Sequence, residues 1–193
     1  SAAALVGGGT HPKPGEISLA HRGVLFLDEL PEFPRFVLEH LRQPLEDGVI
    51  TVSRVQGTIQ FPARFMFVAS QNPCPCGFAG DTERVCSCHP LSIERYQKKI
   101  SGPVSDRIDM HISVPRVDPN KLSLLSTAES SANIRERVMK AREIQKKRFI
   151  DFPAVHTNSE MQSRELKLFC RLPLEAETLL RGAVSKLQLS ARA

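Results

Sequence analysis

Short runs of hydrophobic residues, separated by glycine, proline and charged residues, predict three β-strands in the first 116 residues. Residues 24–27 are four consecutive apolar residues that end in two acids, a pattern typical of a strand buried on both faces of a parallel sheet. Residues 64–70 are mostly apolar and predict a second buried strand. They lead into a loop rich in proline, cysteine and glycine. Residues 109–114 alternate polar and apolar side chains and predict a third strand.

A hairpin and two helices are predicted around these strands. Residues 49–53 and 58–61 flank a glycine-containing turn, which favours a β-hairpin. Apolar residues recur at helical spacing after Pro34 and predict a helix that ends near Gly48. Residues 91–100 predict another helix. This alternation of strands and helices indicates an α/β fold with a parallel sheet and an inserted β-hairpin.

From residue 117 onward no strand pattern remains, and the chain changes character. Three helices are predicted, over residues 128–149, 159–170 and 173–188. The proline residues near position 117 mark the change. We therefore expect an α/β domain over residues 1–116 and a helical domain over residues 117–193.

Composition narrows the class of protein. With 41% hydrophobic and 24% charged residues, the 193-residue chain has the make-up of an ordinary globular protein. No stretch approaches 18 consecutive apolar residues, and the N-terminus lacks a signal-peptide layout, so we expect a cytoplasmic protein with no membrane partner.

The net charge of +5 is concentrated in one segment. Residues 134–148 hold seven basic and two acidic side chains, which accounts for the whole excess. One interpretation is the solvated face of a helix, and the other is contact with nucleic-acid phosphate or a neighbouring subunit.

Three places carry residues suited to phosphate chemistry. Asp28 and Glu29 follow the first strand, where one carboxylate can orient Mg²⁺ through water and the other can polarise an attacking water. Asn72 follows the second strand, and its amide can hydrogen-bond a γ-phosphate or that water. Arg107 precedes the predicted third strand and can bind a phosphate through two hydrogen bonds. Taken singly, each has a plainer interpretation: a surface strand end, a turn residue and a surface ion pair.

Together, the order of these elements and the residues that fill them resemble the magnesium-chelatase-like branch of the AAA+ ATPases, and specifically its ComM/YifB-type proteins. The resemblance covers essentially the whole chain. The matching segments are residues 4–9, 14–21, 23–32, 41–48, 72–77, 101–103, 106–109 and 189–192.

The resemblance implies a role for each candidate residue. Asp28 and Glu29 correspond to the Walker B pair, with Asp28 on the Mg²⁺ side and Glu29 positioning the attacking water. Asn72 corresponds to the sensor-1 amide, Arg107 to the arginine finger that reaches the ATP of the next subunit, and Arg192 to the sensor-2 arginine of the helical lid. It also implies ATP and Mg²⁺ as cofactors and a homo-oligomer, a hexameric ring in the full-length protein.

One part of the family pattern is missing from this sequence. No G-x-x-x-x-G-K-[ST] phosphate loop is present, and the glycines at 7–9 lie near Lys13 at the wrong spacing. In relatives this Walker A loop precedes the segment that begins here. We therefore expect a partial AAA+ core followed by an incomplete lid, excerpted from a longer protein, and we expect the 193-residue chain alone not to hydrolyse ATP.

The resemblance also suggests a nucleic-acid partner. Insertions of this branch project toward the central channel of the ring, and residues 5–18 and the hairpin 49–61 occupy the corresponding places. Arg54, His11 and Lys13 are the candidate DNA-contacting residues there, or else simply polar loop residues. ComM-type relatives suggest a DNA helicase that drives branch migration in natural transformation. The alternative is a magnesium-chelatase-type ATPase that remodels a protein partner for metal insertion.

Four of the five cysteines are clustered in the loop after the second strand. They form two C-x-C pairs separated by nine residues, for which structural zinc, free thiols and disulfides all remain possible. The fifth, Cys170, lies on an apolar helical stripe with Leu166 and Phe169 and is expected in the core. The clustered residues are Cys74, Cys76, Cys86 and Cys88.

Overall fold

A computed structural model of the chain describes residues 2–8, 13–54, 57–114 and 129–188. Contacts divide the chain after Val114 into two compact units. The first unit holds the described residues up to Val114, and the second holds residues 129–188. The predicted domain boundary near residue 117 lies outside the described residues.

The first unit contains the parallel strand pair and the hairpin that the sequence predicts. The apolar run before Asp28 pairs in parallel with the second run, and Leu27 stands opposite Ala69. The hairpin strands pair antiparallel in a separate two-stranded sheet. In sequence, they lie between the two parallel strands. The strands are β1 (Gly7–Gly8), β2 (Lys13–Pro14), β3 (Val24–Leu27), β4 (Val49–Arg54), β5 (Gly57–Pro62) and β6 (Met66–Ala69).

Short helices surround these strands. The single helix predicted between Pro34 and Gly48 is wrong, because it divides into two helices around His40 and Leu41. Pro44 explains the break: in one continuous helix it would lack an N–H donor and its ring would clash with the carbonyl group of His40. The helices are α1 (Ala2–Val6), α2 (Glu16–Leu19), α3 (Arg35–Glu39), α4 (Arg42–Asp47), α5 (Pro90–Gln97) and α6 (Gly102–Ser105), with a 3-10 turn at Leu30–Glu32.

The predicted third strand is not formed. Residues 109–114 have no helix or strand, and Met110, Ile112 and Val114 are each more than three-quarters exposed. An alternating sequence becomes a strand only when a neighbouring strand pairs with it, and none of the described residues does so here.

The sheet of β3 and β6 is buried on one face only, so the prediction of burial on both faces is also wrong. Leu25 and Leu27 are 7% exposed and face the core. The apolar side chains on the other face are 40–60% exposed: Val24, Phe26, Met66 and Val68.

The core of the first unit lies between the buried face of β3 and the short helices. Ile17, Leu38 and Leu41 are almost completely buried there, and Leu30 and Ile50 join them from the 3-10 turn and the hairpin. These contacts fix the chain on both sides of the two acids that follow β3.

The second unit is helical, as predicted. A small aromatic cluster joins its elements, because the ring of Phe169 packs edge-on against the rings of Phe149 and Phe152. Cys170 is exposed, so its predicted core position is wrong; the helix ends at Phe169, and Cys170 follows it. The elements are α7 (Ser131–Arg148), a 3-10 turn (Asn158–Glu160), α8 (Ser163–Phe169) and α9 (Leu174–Leu187).

The basic segment forms most of α7. Ser130 begins the helix by accepting a hydrogen bond from the Asn133 N–H, 3.2 Å, through its side chain. The helix has no buried residue, and its apolar residues Ile134 and Val138 are 43% and 51% exposed. No helix among the described residues combines the length and apolarity needed to cross a bilayer.

Candidate functional site

The carboxyl ends of β3 and β6 bring three polar residues together, and we call Asp28, Glu29 and Ser70 the strand edge. Because Leu27 pairs with Ala69, the next residues, Asp28 and Ser70, lie side by side. The Ser70 hydroxyl donates to Asp28 Oδ1 in a short hydrogen bond. The Glu29 N–H donates to Ser70 Oγ at 3.0 Å and to Asp28 Oδ1 at 3.1 Å.

Backbone bonds fix the strand edge on both sides. The Ser70 N–H donates to the Leu27 carbonyl, 3.1 Å, and the Leu30 N–H donates to the Ser70 carbonyl, 2.8 Å. Glu29 has φ 51° and ψ 51°, the left-handed conformation that costs a residue with a Cβ about 1–2 kcal/mol. The surrounding hydrogen bonds therefore hold a strained residue at the point where the two carboxylates leave the sheet.

Sequence reasoning did not assign Ser70 a role. A serine after a strand carries no signal by itself, but the parallel register provides one. If residues 24–27 and 66–69 pair in step, the residue after each strand must face the other. That argument requires the register, which the sequence pattern alone does not give.

Asn72 lies two residues beyond the strand edge and is exposed. Its backbone lies beside Tyr96, a residue of α5 that is only 5% exposed. Burial raises the pKa of Tyr96, and the negative charges of Glu32 and Glu29 act in the same direction. Among the described contacts, none joins the Asn72 side chain to the strand edge.

Arg107 is bound within its own unit. Its guanidinium forms an ion pair with Glu46 of α4 and donates to the Pro103 carbonyl, 2.5 Å, and the side chain is 11% exposed. It lines a cleft together with Glu39 and Arg42. The described contacts of Arg107 are thus with α4 and α6.

The candidate DNA-contacting residues are only partly described. Lys13 is exposed on β2. Arg54 ends β4 opposite Gly57, at the turn of the hairpin. The side chain of Arg54, His11 and the candidate sensor-2 residue Arg192 lie outside the described part of the chain.

The four clustered cysteines are brought together in residues 71–89, which we call the cysteine loop. Sulfur atoms are 3.4 Å apart for Cys74 and Cys76, 3.5 Å for Cys76 and Cys86, and 3.6 Å for Cys74 and Cys86. All four sulfurs, including that of Cys88, lie within 4.8 Å of one another, and none forms a disulfide. A hydrogen bond from the Phe78 backbone holds the pKa of the Cys76 thiol at about 6.

Comparison with known proteins extends these observations. A family profile for magnesium chelatase, subunit ChlI, matches residues 1–122, and a profile for the C-terminal part of the same subunit matches residues 128–193. The chain is 50% identical over 191 residues to the competence protein ComM of Haemophilus influenzae. The match covers 98% of this chain and 36% of ComM.

Two further relatives differ in how much of the chain they match. The uncharacterized protein YifB of Escherichia coli is 46% identical over 195 residues, covering 100% of this chain and 37% of YifB. A magnesium-chelatase subunit ChlI homolog of Methanocaldococcus jannaschii is 24% identical over 137 residues. The match covers 68% of this chain and 35% of the homolog. The chain thus spans little more than a third of the length of these relatives. With both profiles matched and two relatives aligned along its length, the chain belongs to the magnesium chelatase ChlI family and is of the ComM/YifB type.

Proposed function

We propose that this chain supplies the hydrolytic part of an ATP-driven AAA+ motor. The observation that carries the proposal is the strand edge, where Asp28 and Glu29 leave the carboxyl end of β3 and Ser70 leaves the adjacent parallel strand. Ligands of open α/β sheets bind at this end of the strands. Family membership supports the same assignment, because the matched profile describes a magnesium chelatase subunit.

The donor chemistry of the strand edge fits a hydrated magnesium ion. Asp28 and Glu29 are exposed carboxylates, and hard divalent cations prefer oxygen ligands and retain water. When bound, Mg²⁺ neutralises charge on the phosphates. Asp28 would hold the ion through its water shell while Ser70 keeps the carboxylate oriented. Glu29 would accept a hydrogen bond from the attacking water and orient it for in-line displacement.

The other candidate residues complete the proposed machinery. Asn72 would hydrogen-bond the γ-phosphate or the attacking water, and Arg192 would contact the nucleotide from the lid. Arg107 would act on the ATP of the neighbouring subunit in a homohexameric ring. Because its guanidinium is paired with Glu46, this role requires an exchange of one anionic partner for another, a carboxylate for a phosphate.

DNA is the proposed substrate of the motor, which would act in branch migration during natural transformation. The support is the similarity to a competence protein along 98% of this chain and the hairpin that carries Arg54 at its turn. Lys13 and His11 are the other proposed contacts with the phosphate backbone. We place this activity in the cytoplasm, where thiols such as those of the cysteine loop stay reduced.

The test uses the complete protein, since this chain spans only part of its relatives. Mg²⁺-dependent ATP hydrolysis is measured with and without forked and four-way DNA. We expect stimulation by DNA, and we expect Glu29→Gln to lower kcat by about 10²–10⁴-fold. Glu143→Gln, at an exposed position of α7, is the matched control and should leave kcat unchanged.

Each contrary result has a defined meaning. Unchanged hydrolysis in Glu29→Gln would refute the proposed role of the strand edge. Hydrolysis that no DNA stimulates would instead favour the alternative, an ATPase that remodels a protein partner for metal insertion. Measurable Mg²⁺-dependent hydrolysis by residues 1–193 alone, abolished by Glu29→Gln, would contradict the expectation that this chain is inactive by itself.

A further inference from the structure

The four sulfur atoms of the cysteine loop lie within 4.8 Å of one another, a spacing that one metal ion can bridge. The sulfur atoms of Cys74, Cys76 and Cys86 are 3.4, 3.5 and 3.6 Å apart. A tetrahedral site with zinc–sulfur bonds of about 2.3 Å has sulfur–sulfur edges of about 3.8 Å. A disulfide would bring two of these sulfurs to about 2.05 Å, and all four cysteines are free. The cluster is therefore close to the geometry of a single-ion tetrathiolate site.

Regular secondary structure does not hold the cysteine loop in place, and its other described contacts include local ones, such as the hydrogen bonds that the Asp81 side chain accepts from the Glu83 and Arg84 N–H groups. Residues 71–89 contain no helix or strand, and loops of this length without secondary structure are uncommon in compact domains. Val85 is 95% exposed, so burial of its side chain does not anchor the segment. Cys74, in contrast, is completely buried. The most buried residue of the loop is thus one of the four clustered cysteines.

The backbone of the loop is shaped around the sulfur atoms. The Ala79 N–H donates to Cys74 Sγ at 3.3 Å, an interaction that stabilises negative charge on a thiolate. The Gly77 N–H donates to the Cys74 carbonyl at 3.0 Å and closes a turn. Gly77 has φ +83°, a conformation that favours glycine, so this turn depends on the residue present.

We propose that Cys74, Cys76, Cys86 and Cys88 bind one zinc ion as a closed, structural tetrathiolate site, which fixes the segment that carries Asn72. Binding forms four zinc–sulfur bonds and releases the thiol protons to solvent, and no group is oxidised or reduced. Four sulfur ligands in a tetrahedron favour zinc over the hard cations. In an iron–sulfur cluster the cysteines ligate different irons, whereas these four sulfurs lie within 4.8 Å of one another, close enough to share a single ion.

The site is joined to Asn72 by a short and well-anchored connection. Only Pro73 separates Asn72 from Cys74. The Pro73 carbonyl accepts a hydrogen bond from Gln97 Nε2, 3.3 Å, which ties the segment to α5, and the Asn72 backbone lies beside Tyr96 of the same helix. A zinc ion at Cys74 would hold the other end of this connection. Its effect on hydrolysis rests on the proposed function, in which Asn72 contacts the phosphate or the attacking water.

The first experiment measures zinc in the complete protein, purified under reducing conditions with zinc supplied. Cys74→Ser and Cys86→Ser should each remove one equivalent of zinc per chain, whereas Cys170→Ser, at an exposed cysteine outside the cluster, should remove none. Replacement of the zinc by Co²⁺ should give the visible absorption of a tetrahedral tetrathiolate. Zinc content that is the same in the cluster variants and the parent, or iron in place of zinc, would overturn the assignment.

A second measurement avoids the possibility that the serine variants fail to fold. Alkylation of the native protein, followed by peptide mass spectrometry, should modify Cys170 rapidly and spare the four cluster cysteines. After treatment with a chelator, all five should react. Labelling of the cluster at the same rate with and without the chelator, or a disulfide within it in the reduced protein, would refute the zinc site.

The link to Asn72 needs its own test. Cys86→Ser should lower the kcat of ATP hydrolysis by about 10–100-fold while the KM for ATP changes little. In an Asn72→Ala background the same change should have almost no further effect, because both substitutions disturb one group. Fully additive losses would refute the link. If the zinc-loaded protein shows no hydrolysis at all, the proposed function and the link fail, whereas the zinc assignment is decided by the metal and alkylation measurements.

Discussion

At the strand edge, Asp28 and Ser70 are positioned by regular secondary structure: two paired strands bring them together, and backbone hydrogen bonds fix them on both sides. In the cysteine loop, four sulfurs converge without any helix or strand between them. The first arrangement follows from the register of the two strands, whereas the proposed zinc ion would join distant parts of the loop in the second. Changes at the strand edge should therefore leave the zinc content intact, whereas loss of the proposed zinc ion should affect hydrolysis only through Asn72.

Removal of the Ser70 hydroxyl should have the largest effect of three substitutions that separate the regions. Ser70→Ala deletes a hydrogen bond to a charged carboxylate, worth about 1.5–3 kcal/mol, and leaves the Glu29 N–H without that acceptor. We expect ATP hydrolysis by the complete protein to fall about tenfold, with zinc content unchanged. Ser70→Thr keeps the hydroxyl and should retain most of the activity. A loss of zinc in Ser70→Ala would show that the regions are coupled.

A substitution in the cysteine loop should instead weaken zinc binding. Gly77→Ala places a Cβ on a residue at φ +83°, which costs about 1–2 kcal/mol although no neighbouring atom lies within 4 Å of it. We expect roughly tenfold weaker zinc binding in a chelator competition, since 1.4 kcal/mol corresponds to a factor of ten. Gly102→Ala is the matched control, because Gly102 begins α6 and also has open space around it. Equal zinc affinities for the two variants would contradict this expectation.

The ion pair between Lys99 and Glu32 should matter least. The two groups are 3.5 Å apart, and their side chains are 44% and 55% exposed, so solvent screens the attraction. Lys99→Ala should change the free energy of unfolding by no more than about 0.5 kcal/mol, measured by urea denaturation at low and high salt. A change of several kcal/mol would contradict the expectation that solvent screens this pair.

The sequence predicted the features that depend on local pattern. A run of four apolar residues followed by two acids gave both β3 and the position of Asp28 and Glu29. The helix that begins at Ser131 was likewise evident from its helix-forming residues. Four cysteines in one loop gave the candidate metal ligands without any knowledge of the fold. In these cases residues close together in the sequence are sufficient to predict the feature.

Features that depend on distant residues were missed. Ser70 acquires a role only through its register with Asp28. An ion pair was one interpretation of Arg107, but the sequence did not show that its partner is Glu46, 61 residues earlier in the chain, or that the Arg107 side chain is only 11% exposed. Residues 109–114 have the alternation of a strand, but no described strand pairs with them. Cys170 was assigned to the core because periodicity does not show that α8 ends one residue before it.

The parallel register of β3 and β6 also determines where this gene can change length. Each strand is only four residues long, so one inserted or deleted codon within it would turn its side chains to the opposite face and separate Asp28 from Ser70. Lengthening the hairpin between β4 and β5 leaves that register intact and carries only a small entropic cost. A lengthened hairpin would therefore alter the proposed DNA contact of Arg54 while leaving Asp28 and Ser70 side by side.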